Sequence, residues 1–269
     1  MNKLLKTDFK RILSDKLFKI LCIIGGVFAV FTPLLYKILF SAVDAEEMLS
    51  MTINAKSLFF TAFSPGDNFG LILPILLVII ICKDFKHGTV RNKLICGYSR
   101  KSVFLSMYIA CASVICTLIL CYALINLFVA LIFLEYQATA FTMADFGYLM
   151  LSVLFEIIIY LFISALVCFY ISFAKNVGLS IVFYVGTMFL LLIVGVVAQV
   201  AFMFADPANT VLYKFMEFLT ISNPFMSTAI GVGTEYKLYQ ALSIALPSFI
   251  GAVLFVFLGA LIFSKKDLK

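Results

Sequence analysis

The chain has 269 residues, of which 64% are hydrophobic and only 13% charged. A mean hydropathy of +1.14 leaves far more apolar side chain than one soluble core of this size encloses, which excludes an ordinary soluble enzyme and indicates a polytopic, all-α membrane protein. The net charge of +6 says nothing about partners until its distribution is known, because cationic loops also set membrane orientation.

In chain order, residues 1–19 predict an amphipathic helix. Leu5, Phe9, Ile12, Leu13 and Leu17 recur at helical spacing, with Lys3, Lys6, Lys10, Arg11 and Lys16 on the remaining arc. Such a helix lies in the interface on an anionic leaflet, so membrane lipid is an expected partner. A secretory signal is the competing reading. The apolar run 20–40 is too long for one and ends without a small-residue cleavage pattern, so the segment is expected to stay in the mature protein.

Apolar spans follow at 20–40, 69–82, 103–134, 146–174, 177–204 and 242–263, which predicts six membrane helices. The second run is about 21 Å long as a helix, short of a ~30 Å hydrocarbon core, and is expected to begin nearer Ser64 or to continue past Cys82. The third is longer than needed and should tilt or project.

With both ends placed in the cytoplasm, the inner segments hold sixteen of the twenty Lys and Arg residues. Only Lys37, Lys56, Lys214 and Lys237 fall outside. This asymmetry satisfies the positive-inside rule and removes the need for a nucleic-acid partner. The expected location is a bacterial plasma membrane, as a multi-pass protein with both termini cytoplasmic. The outer segment 41–68 reads as a loop with a short helix and a turn at 64–67. In the outer segment 205–241, Asp206-Pro207 and Asn223-Pro224 are each a helix-start signal, and Val211, Leu212, Phe215, Phe218 and Leu219 share a face. The segment is either two short re-entrant helices or an ordinary outer loop. The whole chain 1–269 reads as one transmembrane domain.

Catalytic patterns are missing from the sequence: it has no P-loop, no Gly-x-Ser-x-Gly elbow and no His-Glu-x-x-His. No metal site is expected, since His87 is the only histidine and none of the seven cysteines has zinc spacing. Glu156 is the one carboxylate well inside a span, either a functional group or a helix-bridging one. Asn126 and Gln199 read as helix-helix links, and the three together are the polar candidates for a substrate pathway. Spans this poor in charge favour an apolar or amphipathic cargo over an ion-coupled path. Gly251 and Gly259, eight apart in the last span, permit close packing and a dimer seam.

The polar, basic stretch 82–100 (residues 83–102 form the loop between spans) concentrates helix signals. Asp84 lies near the end of the second span, Gly88-Thr89 open a helix, Val90, Leu94 and Ile95 give its apolar face, and Gly97 ends it. Ser99-Arg100 then precede the long third span. The order Asp84, Phe85, Gly88-Thr89, short helix, Ser99-Arg100 resembles the ABC-2 type permeases, the membrane subunits of one class of ABC exporter. Those often read Glu-x-x-x-Gly-Thr and, further on, Pro-x-Ser-Arg; here Asp84 stands for the acid and Gly97-Tyr98 replaces the proline turn.

The resemblance extends to the basic amphipathic start, the six spans and the outer segment before the last of them. It implies that residues 1–19 are a connecting helix and 84–96 a coupling helix seated in a groove of a separate ATPase subunit. Two permease copies, identical or related, would pair with two ATPases. ATP and Mg would sit on the partner, with no cofactor on this chain. The function implied is export of a peptide, antibiotic or lipid. Val90, Leu94 and Ile95 would fill the docking groove, and Arg100 would anchor the loop on Asp84 or on the ATPase. The alternative is a non-transporting immunity or sensing protein that binds antimicrobial peptides through its outer segments.

Overall fold

The computed structural model describes residues 2–42, 54–65, 68–134, 142–174, 176–204, 210–224 and 238–265. Helices account for nearly all of them: α1 (Asn2–Ser14), α2 (Lys16–Ala42), α3 (Ala55–Thr61), α4 (Asn68–Lys86), α5 (Thr89–Ile95), α6 (Arg100–Phe133), α7 (Met143–Ala174), α8 (Val177–Phe204), α9 (Thr210–Ser222) and α10 (Leu238–Lys265). No strand occurs among the described residues. Five of these helices, α2, α6, α7, α8 and α10, are long and apolar enough to cross a membrane.

The helix at the centre is the short one. α4 packs against α2, α6, α7 and α8, and Phe69, Leu73, Leu77, Val78, Ile80 and Ile81 along it are all at most 3% exposed. A run of about fourteen apolar residues is the length of an enclosed core helix, which accounts for its shortness. It starts at Asn68 and runs on past Cys82 to Lys86. Around it α7 pairs most extensively with α10, and α2 with α6.

Phenylalanine rings are seated against glycines at three helix crossings. A Cβ on Gly25, Gly251 or Gly259 would come within 2.5–2.8 Å of the rings of Phe69, Phe162 and Phe104 respectively. Gly251 and Gly259 therefore serve packing within the chain, against α7 and α6, and the expected dimer seam at these two residues does not hold.

The predicted helix over 1–19 is two helices. Asp15 breaks it: its Oδ1 accepts from Leu17 N at 2.8 Å and so caps α2, which begins at Lys16. Residues 16–19 belong to the first span. The face of α1 also differs. Leu4, Asp8 and Ile12 are at most 2% exposed while Leu13 is 49% exposed, because the buried face is set by what Asp8 pairs with, as described below.

At the opposite end, α3 is the short helix expected within residues 41–68. Asn54 and Ser57 form a capping box, and Phe59, Phe60 and Phe63 are buried. Tyr160 of α7 donates to Phe63 O at 2.8 Å, and Lys56 pairs with Asp145 at 3.8 Å. α9 folds back along α8: Asn223, just past its end, donates through Nδ2 to Leu191 O at 2.7 Å. Leu191 is thirteen residues before the end of α8 and Asn223 thirteen beyond the start of α9, so the hairpin reaches about 20 Å back along α8. Asn223 thus ends one helix and ties it to another. Asp206-Pro207, Gly66-Asp67 and the second short helix expected after Pro224 lie outside the described residues. The apolar face predicted on α9 is real but open, with Val211 79% and Phe215 54% exposed.

Candidate functional site

The turn 86–100 is built from local signals. Gly88 has φ 68 and precedes α5 without a side-chain cap, and its carbonyl accepts from Asn92 N at 2.9 Å. At the other end Gly97 has φ 88. Gly97 N donates to Leu94 O at 3.0 Å and Tyr98 N to Lys93 O at 3.3 Å, the paired bonds of a Schellman ending that glycine favours. The Gly97-Tyr98 turn therefore closes α5 without a proline. Ser99 Oγ then accepts from Ser102 N at 3.2 Å and caps α6.

Three ion pairs fasten α1 and the junction after it to α4 and α5. Asp8 and Arg11 of α1 and Asp15, between α1 and α2, stand at i, i+3 and i+7 in the sequence and alternate in sign. They meet Lys93 of α5, Asp84 of α4 and Lys83 of α4 respectively. Asp8 is 2% exposed and also accepts from Ser106 Oγ of α6 at 2.6 Å. Lys83 Nζ donates to both carboxylate oxygens of Asp15, at 3.0 and 2.9 Å. A hollow of about 310 Å³ between α1 and α4 is lined by Arg11, Asp15, Ile80, Lys83, Asp84, His87 and Thr89.

Electrostatics follow from burial and pairing. Burial lowers the pKa of Lys93 and of Arg11, with Asp8 opposing the shift in both. For Asp15, burial opposes ionisation, but the hydrogen bonds from Lys83 and Leu17 outweigh it and hold the carboxyl below its ordinary 3.8. A depressed carboxylate contributes stability above its unfolded value, lost as pH falls through the folded one. The Asp15–Lys83 tie should therefore persist at neutral pH and open only below about pH 4. Comparing Asp15→Asn with the parent by thermal unfolding across pH 3–7 checks this: the difference between them should shrink only at the acid end.

The predicted residues divide in two. Asp84 is 5% exposed and its ionic contact is with Arg11 of α1. The expected Arg100–Asp84 anchor is replaced: Arg100 Nη1 donates to Ser264 O at 2.9 Å, near the C-terminal end of α10, where a cation suits the helix carbonyls. Phe85 packs edge-on against Phe263 at 6.2 Å. Thr89 opens α5 and is half-buried. Val90 is 4% exposed and Leu94 packs on the same core, so neither is free to fill a partner's groove. The reason is angular. Val90 and Leu94 are one turn apart, whereas Ile95 lies 100° further round and is 73% exposed. The outward face of α5 is Arg91, Asn92 and Ile95, continued by Cys96.

Asn126 on α6 and Glu156 on α7 are enclosed at 1% and 7% exposure, and Gln199 on α8 is half-buried. No hydrogen bond joins the three, and Asn126 Oδ1 and Glu156 Oε2 have no partner. The structure therefore does not assemble them into one site. Sequence reasoning missed Asp8, Arg11, Asp15, Lys83 and Lys93 as a set, although alternation of sign at i, i+3, i+7 is visible in the sequence. No protein-family model matches the chain, and no curated protein matches it at a significant level.

Proposed function

We propose that the chain is the permease subunit of an ATP-driven exporter of the ABC-2 type, carrying a hydrophobic or amphipathic cargo out of the cell. α4, about 28 Å long, is then a sixth crossing, packed against α2, α6, α7 and α8, and both chain termini face the cytoplasm of a bacterial plasma membrane. α5 is the docking helix for a separate ATPase, which holds ATP and Mg; two permeases and two ATPases make the assembly. The observation that carries the reading is α5 itself. A seven-residue helix closed by a Schellman turn and pinned by the buried Lys93–Asp8 pair presents Arg91, Asn92 and Ile95 as an exposed face. The back-folded α9, with its open apolar face, agrees with a re-entrant outer segment. Glu156 and Asn126, at 7% and 1% exposure, are inaccessible to cargo in this conformation.

Of the expected docking residues Val90, Leu94 and Ile95, only Ile95 stays in the proposed contact, and Arg91 joins it. Purified from its native membrane in mild detergent, the chain should bring an ATPase with it. Changing Arg91→Glu with Ile95→Asp should weaken that association by roughly 2 kcal/mol, about thirtyfold, and abolish cargo-stimulated ATP hydrolysis. Absence of any co-purifying ATPase, with resistance to antimicrobial peptides unaffected by ATP, would transfer the protein to the immunity class.

A further inference from the structure

Charges at the α1 end of the bundle are unequally used. Among the described residues of positions 2–19 and 83–101, the carboxylates are Asp8, Asp15 and Asp84, and each is held in an ion pair inside the protein. Lys3, Lys6, Lys10, Lys16 and Lys19 are exposed. All the negative charge of α1 is thus spent internally, and what it shows outward is cationic only.

Geometry fixes where that cationic face lies. Lys3, Lys6 and Lys10 recur at i, i+3 and i+7, nearly opposite the buried Leu4, Asp8 and Ile12. α1 is tied through Asp15, just past its end, to Lys83 near the end of α4, and through Asp8, at its middle, to Ser106, six residues or about 9 Å into α6. It is therefore a crossbar over the ends of two apolar helices, at the depth where apolar side chains give way to charge. Lys16 and Lys19 follow on the first turn of α2, next in the chain to exposed Ile20 and Ile23, at 48% and 66%, and Leu13 on the lysine side of α1 is 49% exposed.

We propose that this lysine face, Lys3, Lys6 and Lys10, together with exposed Lys16 and Lys19 at the start of α2, binds the headgroup phosphates of anionic phospholipid. A surface that puts flexible ammonium groups beside an exposed apolar belt fits a ligand carrying phosphate and acyl chain together. An acidic protein surface would meet the lysines but leave Ile20 and Ile23 uncovered. Each lysine near an anionic leaflet contributes on the order of 1 kcal/mol, screened by salt. The inference is independent of the transport reading, since it concerns α1 and α2 and needs no ATPase.

The test uses the purified full chain in phosphatidylcholine vesicles with trace spin-labelled phosphatidylglycerol or spin-labelled phosphatidylcholine. The motionally restricted fraction of each label gives its relative affinity for the protein. At low salt, phosphatidylglycerol should be favoured by about fivefold, the factor of one such lysine contact, and the preference should fade toward 1 M salt. Lys3→Gln, Lys6→Gln and Lys10→Gln together should remove most of it, while the same three changed to Arg should keep it and Lys214→Gln, at the other end, should leave it intact. Circular dichroism of each variant establishes that the helices persist. Equal affinity for the two labels, or an undiminished preference in the triple Gln variant, overturns the proposal. So does loss of the preference to millimolar inorganic phosphate at constant ionic strength, which would make free phosphate the ligand.

Discussion

Asp8→Ala is expected to cost about 3–5 kcal/mol, the usual penalty for stranding one member of a buried ion pair. Asp8 is 2% exposed and the Lys93 side chain 10%, so neither charge has water to fall back on. Without the carboxylate, Lys93 loses the one influence that opposes its depressed pKa, and Ser106 Oγ loses its acceptor. The lysine must then shed its proton or leave the core, and in either event α5 loses its inward anchor. Denaturant unfolding in detergent measures the stability change, and amide exchange across 89–96 should accelerate with it. Replacing both partners, Asp8→Leu with Lys93→Met, should recover most of the loss, because two apolar groups of similar size carry no uncompensated charge. A change within about 0.5 kcal/mol for Asp8→Ala alone would mean that the pair is solvated and holds nothing.

Phe104→Ala should be comparably severe, at about 3–5 kcal/mol. The ring is fully enclosed; it lies 6.0 Å from Phe263 and occupies the gap that Gly259 leaves on α10. Truncation opens a void at the crossing of α6 and α10, the same junction that Arg100 and Ser264 close from outside. The reciprocal change has a distinct signature. A Cβ at Gly259 would stand 2.5 Å from Phe104 Cζ, so Gly259→Ala should destabilise by about 1–3 kcal/mol in the parent and far less when combined with Phe104→Leu. Additive costs in that double-mutant cycle would show that the two sites do not touch.

Much of this architecture is legible in the hydropathy pattern, because a membrane helix is specified by a local property, a long apolar run. The run at 177–204 coincides with α8 end to end, and the short run at 69–82 marks a helix whose enclosure explains its length. What was hidden depends on contacts between distant segments. Lys16 to Lys19 continue the helical spacing of α1, so nothing local shows that Asp15 ends one helix and caps the next. Val90, Leu94 and Ile95 share an apolar character but not a direction, and only the packing of α5 on the core separates them. The partners of Asp8 and Asp15 stand in a different part of the chain, so no local pattern shows that these acids are paired. The glycines of the last span invited an intermolecular reading because their phenylalanine partners lie on other helices.

The partners of α1 also impose an order on assembly. Asp8 finds Lys93 and Ser106 85 and 98 residues later in the chain. At 5–20 residues/s of synthesis, Asp8 waits roughly 5–20 s for both partners. During that interval α2 and α4 have been made, and Arg11 and Asp15 have Asp84 and Lys83 at hand while the carboxylate of Asp8 is unmatched. The inner face of α1 closes onto the protein only when the start of α6 emerges. The register of the N-terminus is thus a late event, and a chain interrupted before residue 106 would retain its first span yet lack the contact that orients α1.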